Sequence, residues 1–245
     1  MSRVAIVTGG AGALGSAITE ELVKSGHRVV VAYRSRALEA DNLVESLGGA
    51  SFAASVYADL ALPGAAKIIV DAANDVFGVP TVLVNNAGIM TSATVESMSD
   101  DQWDESITVN LTSAFRLARE VIPGMRAEGG GGRIINVSSQ AAFRGSVGRA
   151  HYAAAKAGML GLTYSLAREL GPDAITVNAV VPGRFISDML ATHLTGKEEG
   201  WLAATPLGRF GTPAELASAV GYLASEGASY ITGTALQVGG GLVMG

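Results

Sequence analysis

Tyr152 and Lys156 stand four residues apart in the stretch HYAAAKAGMLGL, and Ser139 lies a short way upstream, just past an apolar run. On a helix the i, i+4 spacing puts phenol and ammonium on one face. A phenol ionises near pH 10, and each unit of depression takes about 1.4 kcal/mol; a neighbouring ammonium stabilises the phenolate with the right sign. Such a pair suits carbonyl chemistry, with Tyr152 exchanging a proton with an oxygen that Ser139 also hydrogen-bonds. Tyr-x-x-x-Lys alone is common on helices, so its company decides the matter.

A second constellation lies near the start. Thr8-Gly9-Gly10-Ala11-Gly12-Ala13-Leu14-Gly15 follows a short apolar run and opens a helical pattern. Glycines there let the backbone turn tightly and approach a pyrophosphate, whose charge meets the N–H groups and dipole of a helix N-terminus. A glycine turn also has a purely structural reading, and the segment about 20 residues on discriminates. There, NAD-binding folds place an Asp or Glu against the ribose 2′-hydroxyl. This chain has Tyr33-Arg34-Ser35-Arg36. A guanidinium and a hydroxyl bind a 2′-phosphate that a carboxylate would repel, so the expected cofactor is NADP(H), with Arg34 the stronger of the two arginines. The alternative is that both arginines belong to a solvated helix start. With a nicotinamide present, Tyr152 would move a proton while hydride moves to or from the ring.

The elements that must position these groups alternate along the chain. Arg3–Thr8, Arg28–Ala32, Ser51–Ala58, Thr81–Asn85, Arg133–Ser138, Ile175–Val181 and Ala235–Val238 read as strands, several of them apolar at successive positions as strands buried on both faces must be. Helices fall between them. Residues 12 to 25 form the first, Ser99 to Gln102 makes a capping box, and Thr212-Pro213-Ala214-Glu215 supplies a cap, a proline at N1 and a box glutamate. The expected fold is α/β, a Rossmann-type doubly wound, seven-stranded, mostly parallel sheet with helices on both faces, as one domain over residues 1–245.

Composition narrows the function. The 245 residues include 17 Lys+Arg and 22 Asp+Glu, for a net charge of −5, which argues against nucleic acid or an anionic membrane as partner. With 0 Cys, disulfide, thiolate and Cys-metal chemistry are excluded. His27, His151 and His193 have no ligand spacing, so no metal is expected. No apolar run reaches the roughly 20 residues of a membrane span, and a cytoplasmic location is expected.

Taken together, these residues resemble the short-chain dehydrogenase/reductase family over the whole chain. The resemblance rests on Thr8 to Gly15, Asp59-Leu60, Asn85-Asn86-Ala87-Gly88, Asn110 in Val-Asn-Leu, the Ser139, Tyr152 and Lys156 spacing, Pro182-Gly183 and Ser187. It implies a catalytic set of Asn110, Ser139, Tyr152 and Lys156, with Asn110 holding a relay water through its backbone. It further implies that Gly9, Gly12, Ala13, Leu14 and Gly15 cradle the cofactor, and that Arg34 and Ser35 meet its 2′-phosphate. Asp59 and Leu60 would lie by the adenine, and Asn86, Ala87 and Gly88 along the channel. Lys156 would hold the nicotinamide ribose beside Tyr152, while Pro182, Gly183 and Ser187 would meet the carboxamide end. Tyr-Ala-Ala-Ala-Lys-Ala-Gly, Ile-Thr-Val-Asn and Ser229-Tyr230-Ile231-Thr232-Gly233 are most similar to the family's 3-oxoacyl-[acyl-carrier-protein] reductases, which implies a homotetramer.

The match departs in places. The loop position that is often basic is Gly12, which leaves the 2′-phosphate more dependent on Arg34, and the following glycine is Ala13. Basic residues that dock an acidic carrier protein are replaced by Gly129 to Gly132 and Gly171-Pro172-Asp173, and Asp173 would repel such a partner. Arg126, Arg133, Arg144 or Arg149 are candidate replacements, although Arg144 and Arg149 read first as solvated loop residues. Asp188 to Phe210 corresponds to a substrate lid, where Met189, Leu190, Leu194, Trp201 and Leu202 either line an acyl pocket or pack as an ordinary amphipathic helix. Ala153, Ala154, Ala155, Ala157 and Gly158 suit close helix packing; the resemblance implies that this surface is a subunit interface, whereas internal packing alone also explains them. The leading expectation is an NADPH-dependent ketoreductase for a β-ketoacyl thioester, carried on acyl carrier protein or CoA, in fatty-acid or specialised polyketide-type biosynthesis. The alternatives are a reductase of a small free ketone or sugar, and an NADP-sensing regulator without turnover.

Overall fold

The structure, a computed structural model, describes residues 3–129, 131–186, 196 and 198–244. Seven strands form one sheet: β1 (Val4–Thr8), β2 (Arg28–Tyr33), β3 (Ala53–Tyr57), β4 (Pro80–Asn85), β5 (Arg133–Val137), β6 (Thr176–Pro182) and β7 (Ala235–Val238). Their order is β3-β2-β1-β4-β5-β6-β7. Every neighbouring pair is parallel, a stricter arrangement than the mostly parallel sheet expected. The β3 strand is shorter than its apolar run because Gly49–Ser51 closes into a 3₁₀ turn ahead of it.

Helices α1 (Ala13–Lys24), α2 (Ala37–Ser46), α3 (Ala65–Val76), α4 (Asp100–Ile107), α5 (Ser113–Ala127), α6 (Ala141–Arg144), α7 (Ala150–Leu170), α8 (Glu198–Ala203) and α9 (Pro213–Ala224) complete the described fold. A parallel sheet must be covered on both faces, and two separate apolar clusters do so. Ile6, Leu83 and Ile134 face Ile69, Leu117 and Met125 on one side. Ala5, Val7 and Val84 face Ile18, Leu22 and Leu216 on the other. Both capping boxes form as read, Ser99 with Gln102 and Thr212 with Glu215.

Between β1 and β4 the winding direction reverses, so the loops leaving their C-terminal ends diverge and open a crevice. A buried polar chain braces the strands beside it. Asn85 Nδ2 donates to Asn136 Oδ1 at 2.8 Å, and Asn136 Nδ2 donates to Thr163 Oγ1 at 2.9 Å, linking β4, β5 and α7. Removing the middle member strands polar groups away from water. Asn136→Ala is expected to cost about 2 kcal/mol or more in urea unfolding; a loss below about 0.5 kcal/mol would show that the chain bears no load.

Candidate active site

The crevice is a cleft of about 620 Å³ whose walls come from the C-terminal ends of β1, β2, β4, β5 and β6. Its floor is the β1–α1 turn. Gly9 adopts φ +62°, and a Cβ on Gly15 would lie 2.1 Å from the Gly9 carbonyl oxygen, so neither position admits a larger side chain without moving backbone. Gly12 caps α1 in extended conformation without a side-chain bond, leaving backbone N–H groups facing the cleft. Thr8, overlooked as an individual residue, stitches this turn to the end of β4. Its Oγ1 accepts the Asn86 and Ala87 N–H groups, each at 3.0 Å, while Asn86 Nδ2 donates to Thr8 O at 2.9 Å. Its position at the end of an apolar strand, just before glycine, was the available signal.

Around this floor, Gly9, Gly12, Ala13, Leu14, Gly15, Arg34, Ser35, Asp59, Leu60, Asn86, Ala87 and Gly88 all line the cleft. Arg34 and Ser35 are exposed at the β2 end, where they can reach a phosphate. Arg36 lines the same rim. At the other end Pro182 and Gly183 line the wall, and a Cβ on Gly183 would come within 2.6 Å of Gly239 Cα. Ser187 lies outside the described residues, as do Met189, Leu190, His193 and Leu194. Of the remaining expected acyl-pocket residues, Trp201 lines the cleft, whereas half-buried Leu202 does not.

Ser139, Tyr152 and Lys156 line the same cleft. Tyr152 is 8 % exposed and Lys156 3 %. Burial pushes the Tyr152 phenol above its ordinary value, while its hydrogen bond with Ser139 and the charge of Arg149 pull it down. The expected depression by Lys156 is therefore not the dominant effect. Lys156 Nζ donates to the Val137 carbonyl at 2.8 Å and sits 5.8 Å from the Tyr152 ring centroid, and burial lowers its own pKa to about 8.

Asn110 stands behind the cleft wall, fully buried, in a π turn over Thr108–Thr112 that joins α4 to α5. Such turns widen the helix at functional sites, and nothing in the residue pattern announced this one. The Asn110 amide clamps Ile89 by accepting its N–H and donating to its carbonyl, both at 3.0 Å. Gly88 makes the clamp possible, because a Cβ there would lie 2.6 Å from Asn110 Oδ1 and 3.5 Å from Lys156 Nζ. His151 turns away from the cleft and pairs with Thr91 Oγ1 at 2.8 Å. Among the described residues no group of His, Cys, Asp or Glu is arranged to hold a metal ion.

The arginines differ from their expected roles. Arg126 Nε donates to Asp173 Oδ2 at 2.7 Å, so the candidate docking cation and the candidate repelling anion neutralise one another. Arg133 is 2 % exposed and is engaged by the carbonyls of Gly131 and Gly132, which removes it from any docking surface. Arg144 is exposed, as expected of a solvated residue, and Arg149 is half-buried, yet both line the cleft, where Arg184 joins them. Arg184 escaped notice, although its place directly after Pro182-Gly183 at the end of β6 was a usable clue.

A family model described as enoyl-(acyl carrier protein) reductase matches residues 9–243. The 3-oxoacyl-[acyl-carrier-protein] reductase FabG of Pseudomonas aeruginosa is 40% identical over 247 residues, covering 99% of this chain and 98% of that one. Its counterpart in Staphylococcus aureus (strain Mu50) is 38% identical, covering 100% and 99%. A short-chain dehydrogenase/reductase, glucose/ribitol dehydrogenase, from Brucella melitensis superposes with a TM-score of 0.94 at 34% identity, over 99% of this chain and 97% of that one. A blue fluorescent protein from a metagenomic library, in complex with NADPH, gives 0.91 at 33% identity, over 99% and 98%.

The lowered pKa of Lys156 has a consequence for stability. A fall from 10.5 to about 8 means that folding disfavours the charged form, a cost fully present below pH 8 and relieved as pH rises from 8 towards 10.5. Without cofactor, the unfolding free energy of the wild type relative to Lys156→Met is expected to rise by about 2 kcal/mol between pH 7 and pH 10. A pH-independent difference in denaturant unfolding would contradict the buried charge.

Proposed function

We propose that this chain, which belongs to the short-chain dehydrogenase/reductase family, is an NADPH-dependent reductase that converts a 3-oxoacyl thioester to the 3-hydroxyacyl thioester. The observation that carries this reading is that Ser139, a buried Tyr152 and a buried Lys156 line one cleft together with the glycine cradle. The 3-oxoacyl-[acyl-carrier-protein] reductases of about 40% identity favour a carrier-bound substrate and a role in fatty-acid biosynthesis. A homotetramer in the cytoplasm and a single domain over residues 1–245 belong to the same reading, and a specialised polyketide-type pathway is a narrower version of it. No helix of the described residues is long and apolar enough to cross a membrane.

NADP(H) fits the cleft. The cradle that a Cβ on Gly15 would fill, the N–H groups at the start of α1 and the exposed Arg34 and Ser35 suit its pyrophosphate and 2′-phosphate. NADPH bound there supplies hydride to the substrate carbonyl carbon.

The chain does the rest. Ser139 Oγ and the Tyr152 hydroxyl bind the carbonyl oxygen, and Tyr152 donates its proton to that oxygen as negative charge develops. Because burial holds the phenol protonated through neutral pH, it is in its acid form for reduction. The Lys156 charge lies near enough to the ring to stabilise the phenolate left behind. Asn110, through its clamp on Ile89, holds the loop that carries Gly88 against this group. Reduction of a carbon–carbon double bond would instead deliver its one proton to carbon, whereas the Ser139 and Tyr152 hydroxyls suit a substrate oxygen.

Two measurements check these assignments. Tyr152→Phe is expected to lower kcat for acetoacetyl thioester reduction at least 100-fold while retaining NADPH binding; activity within tenfold of wild type would remove Tyr152 as the acid. Arg34→Asp is expected to raise the KM for NADPH at least tenfold and leave that for NADH unchanged or lower. An unchanged NADPH KM would move 2′-phosphate recognition away from Arg34.

A further inference from the structure

Arg144, Arg149 and Arg184 reach the substrate end of the cleft from three different segments: the end of α6, the residue before α7 and the loop after β6. None forms an ion pair with a carboxylate among the described residues. Neutral groups orient all three. Arg184 Nη1 donates to the Trp201 carbonyl at 2.7 Å and its guanidinium lies 5.0 Å from the Trp201 ring centroid. Arg144 Nη1 donates to the Leu242 carbonyl at 3.3 Å, and Arg149 Nε to Ser92 Oγ at 3.2 Å. Burial makes charge on half-buried Arg184 costly, and the like charge of Arg144, itself exposed, adds to that cost.

Like charges held together in a partly desolvated cleft are offset by an anion. The cofactor's 2′-phosphate does not fill that role, because Arg34 follows β2, whereas Arg144 and Arg184 follow β5 and β6, with β1 and β4 between. At about 4.8 Å per strand, those positions lie about 14 Å or more apart. Nor does the pyrophosphate cradle, which sits at the β1–α1 turn. Guanidinium groups present forked N–H donors that match the oxygens of a phosphate or carboxylate.

We propose that Arg144, Arg149 and Arg184 form a site for an oxyanion carried by the substrate, either the phosphate of a pantetheine arm or a carboxylate on the acyl chain. This deepens the thioester reading and rests on it. Two matched pairs of 3-oxoacyl thioesters separate the sources: acetoacetyl-4′-phosphopantetheine against acetoacetyl-pantetheine, and a carboxylate-terminated 3-oxoacyl N-acetylcysteamine thioester against its methyl ester. At low salt, kcat/KM for the anionic member of at least one pair is expected to exceed its neutral partner at least tenfold. That ratio is expected to fall towards one in 0.5 M salt and in the double variant Arg144→Gln/Arg184→Gln. Ratios within twofold in both pairs, or a tenfold ratio that survives the double substitution, overturn the oxyanion site. Calorimetric titration of the NADP⁺-saturated protein with the corresponding 3-hydroxyacyl thioesters keeps the two readings apart. Discrimination in binding without any turnover overturns the reductase reading alone, whereas turnover without discrimination overturns the oxyanion site alone.

Discussion

A buried ammonium organises this active site. Lys156 is almost wholly removed from water, yet its Nζ has the Val137 carbonyl on one side and the Tyr152 ring within 5.8 Å on another. Placing a charge there is unfavourable, as the fall of its pKa to about 8 records. The surrounding backbone is fixed to hold it. Ser138 Oγ donates to the Lys156 carbonyl at 2.8 Å, locking the turn of α7 that carries Lys156 to the end of β5. Gly88 is bare because Asn110 and Lys156 occupy the space its side chain would need. In the proposed reaction that charge sits beside the phenol that gives up its proton, a use that electrostatic preorganisation requires and that stability alone would select against.

Topology supplies everything else the site needs. Residues from Gly9 to Trp201 meet in one cleft because each strand of a parallel sheet ends on the same edge and the winding reverses between β1 and β4. That edge also separates charges by function. Arg34 faces the cleft from the β2 end, and Arg144, Arg149 and Arg184 line it on the side of β5 and β6. An acidic chain of net charge −5 thus concentrates positive charge at both ends of a single cleft.

Much of this was legible in the residues because it depends on local rules. Tyr152 and Lys156 had to share a helix face, glycines had to mark the close approach of backbone, and apolar runs had to become strands covered on both sides. What stayed hidden depends on contacts between distant segments. The π turn that carries Asn110 is an extra residue of helical winding with no compositional mark. Arg126 and Asp173 are 47 positions apart, and only folding showed that they cancel. Arg133 lies in a strand that is buried along its whole length, and its carbonyl partners could not be read from the chain. The same limit applied to Tyr152. Spacing placed an ammonium nearby, but the balance between burial, Ser139 and Arg149 is three-dimensional.

In the proposed reaction hydride goes to a carbonyl carbon whose oxygen takes its proton from the chain, and isotope transfer separates this from every other use of the cofactor. With NADPH deuterated at the transferring position and an acetoacetyl thioester, the product should be the 3-hydroxybutyryl thioester with one deuterium on the carbinol carbon and none acquired there from solvent. A saturated acyl product, solvent hydrogen at the carbinol carbon, or cofactor oxidation without label transfer would contradict the assignment.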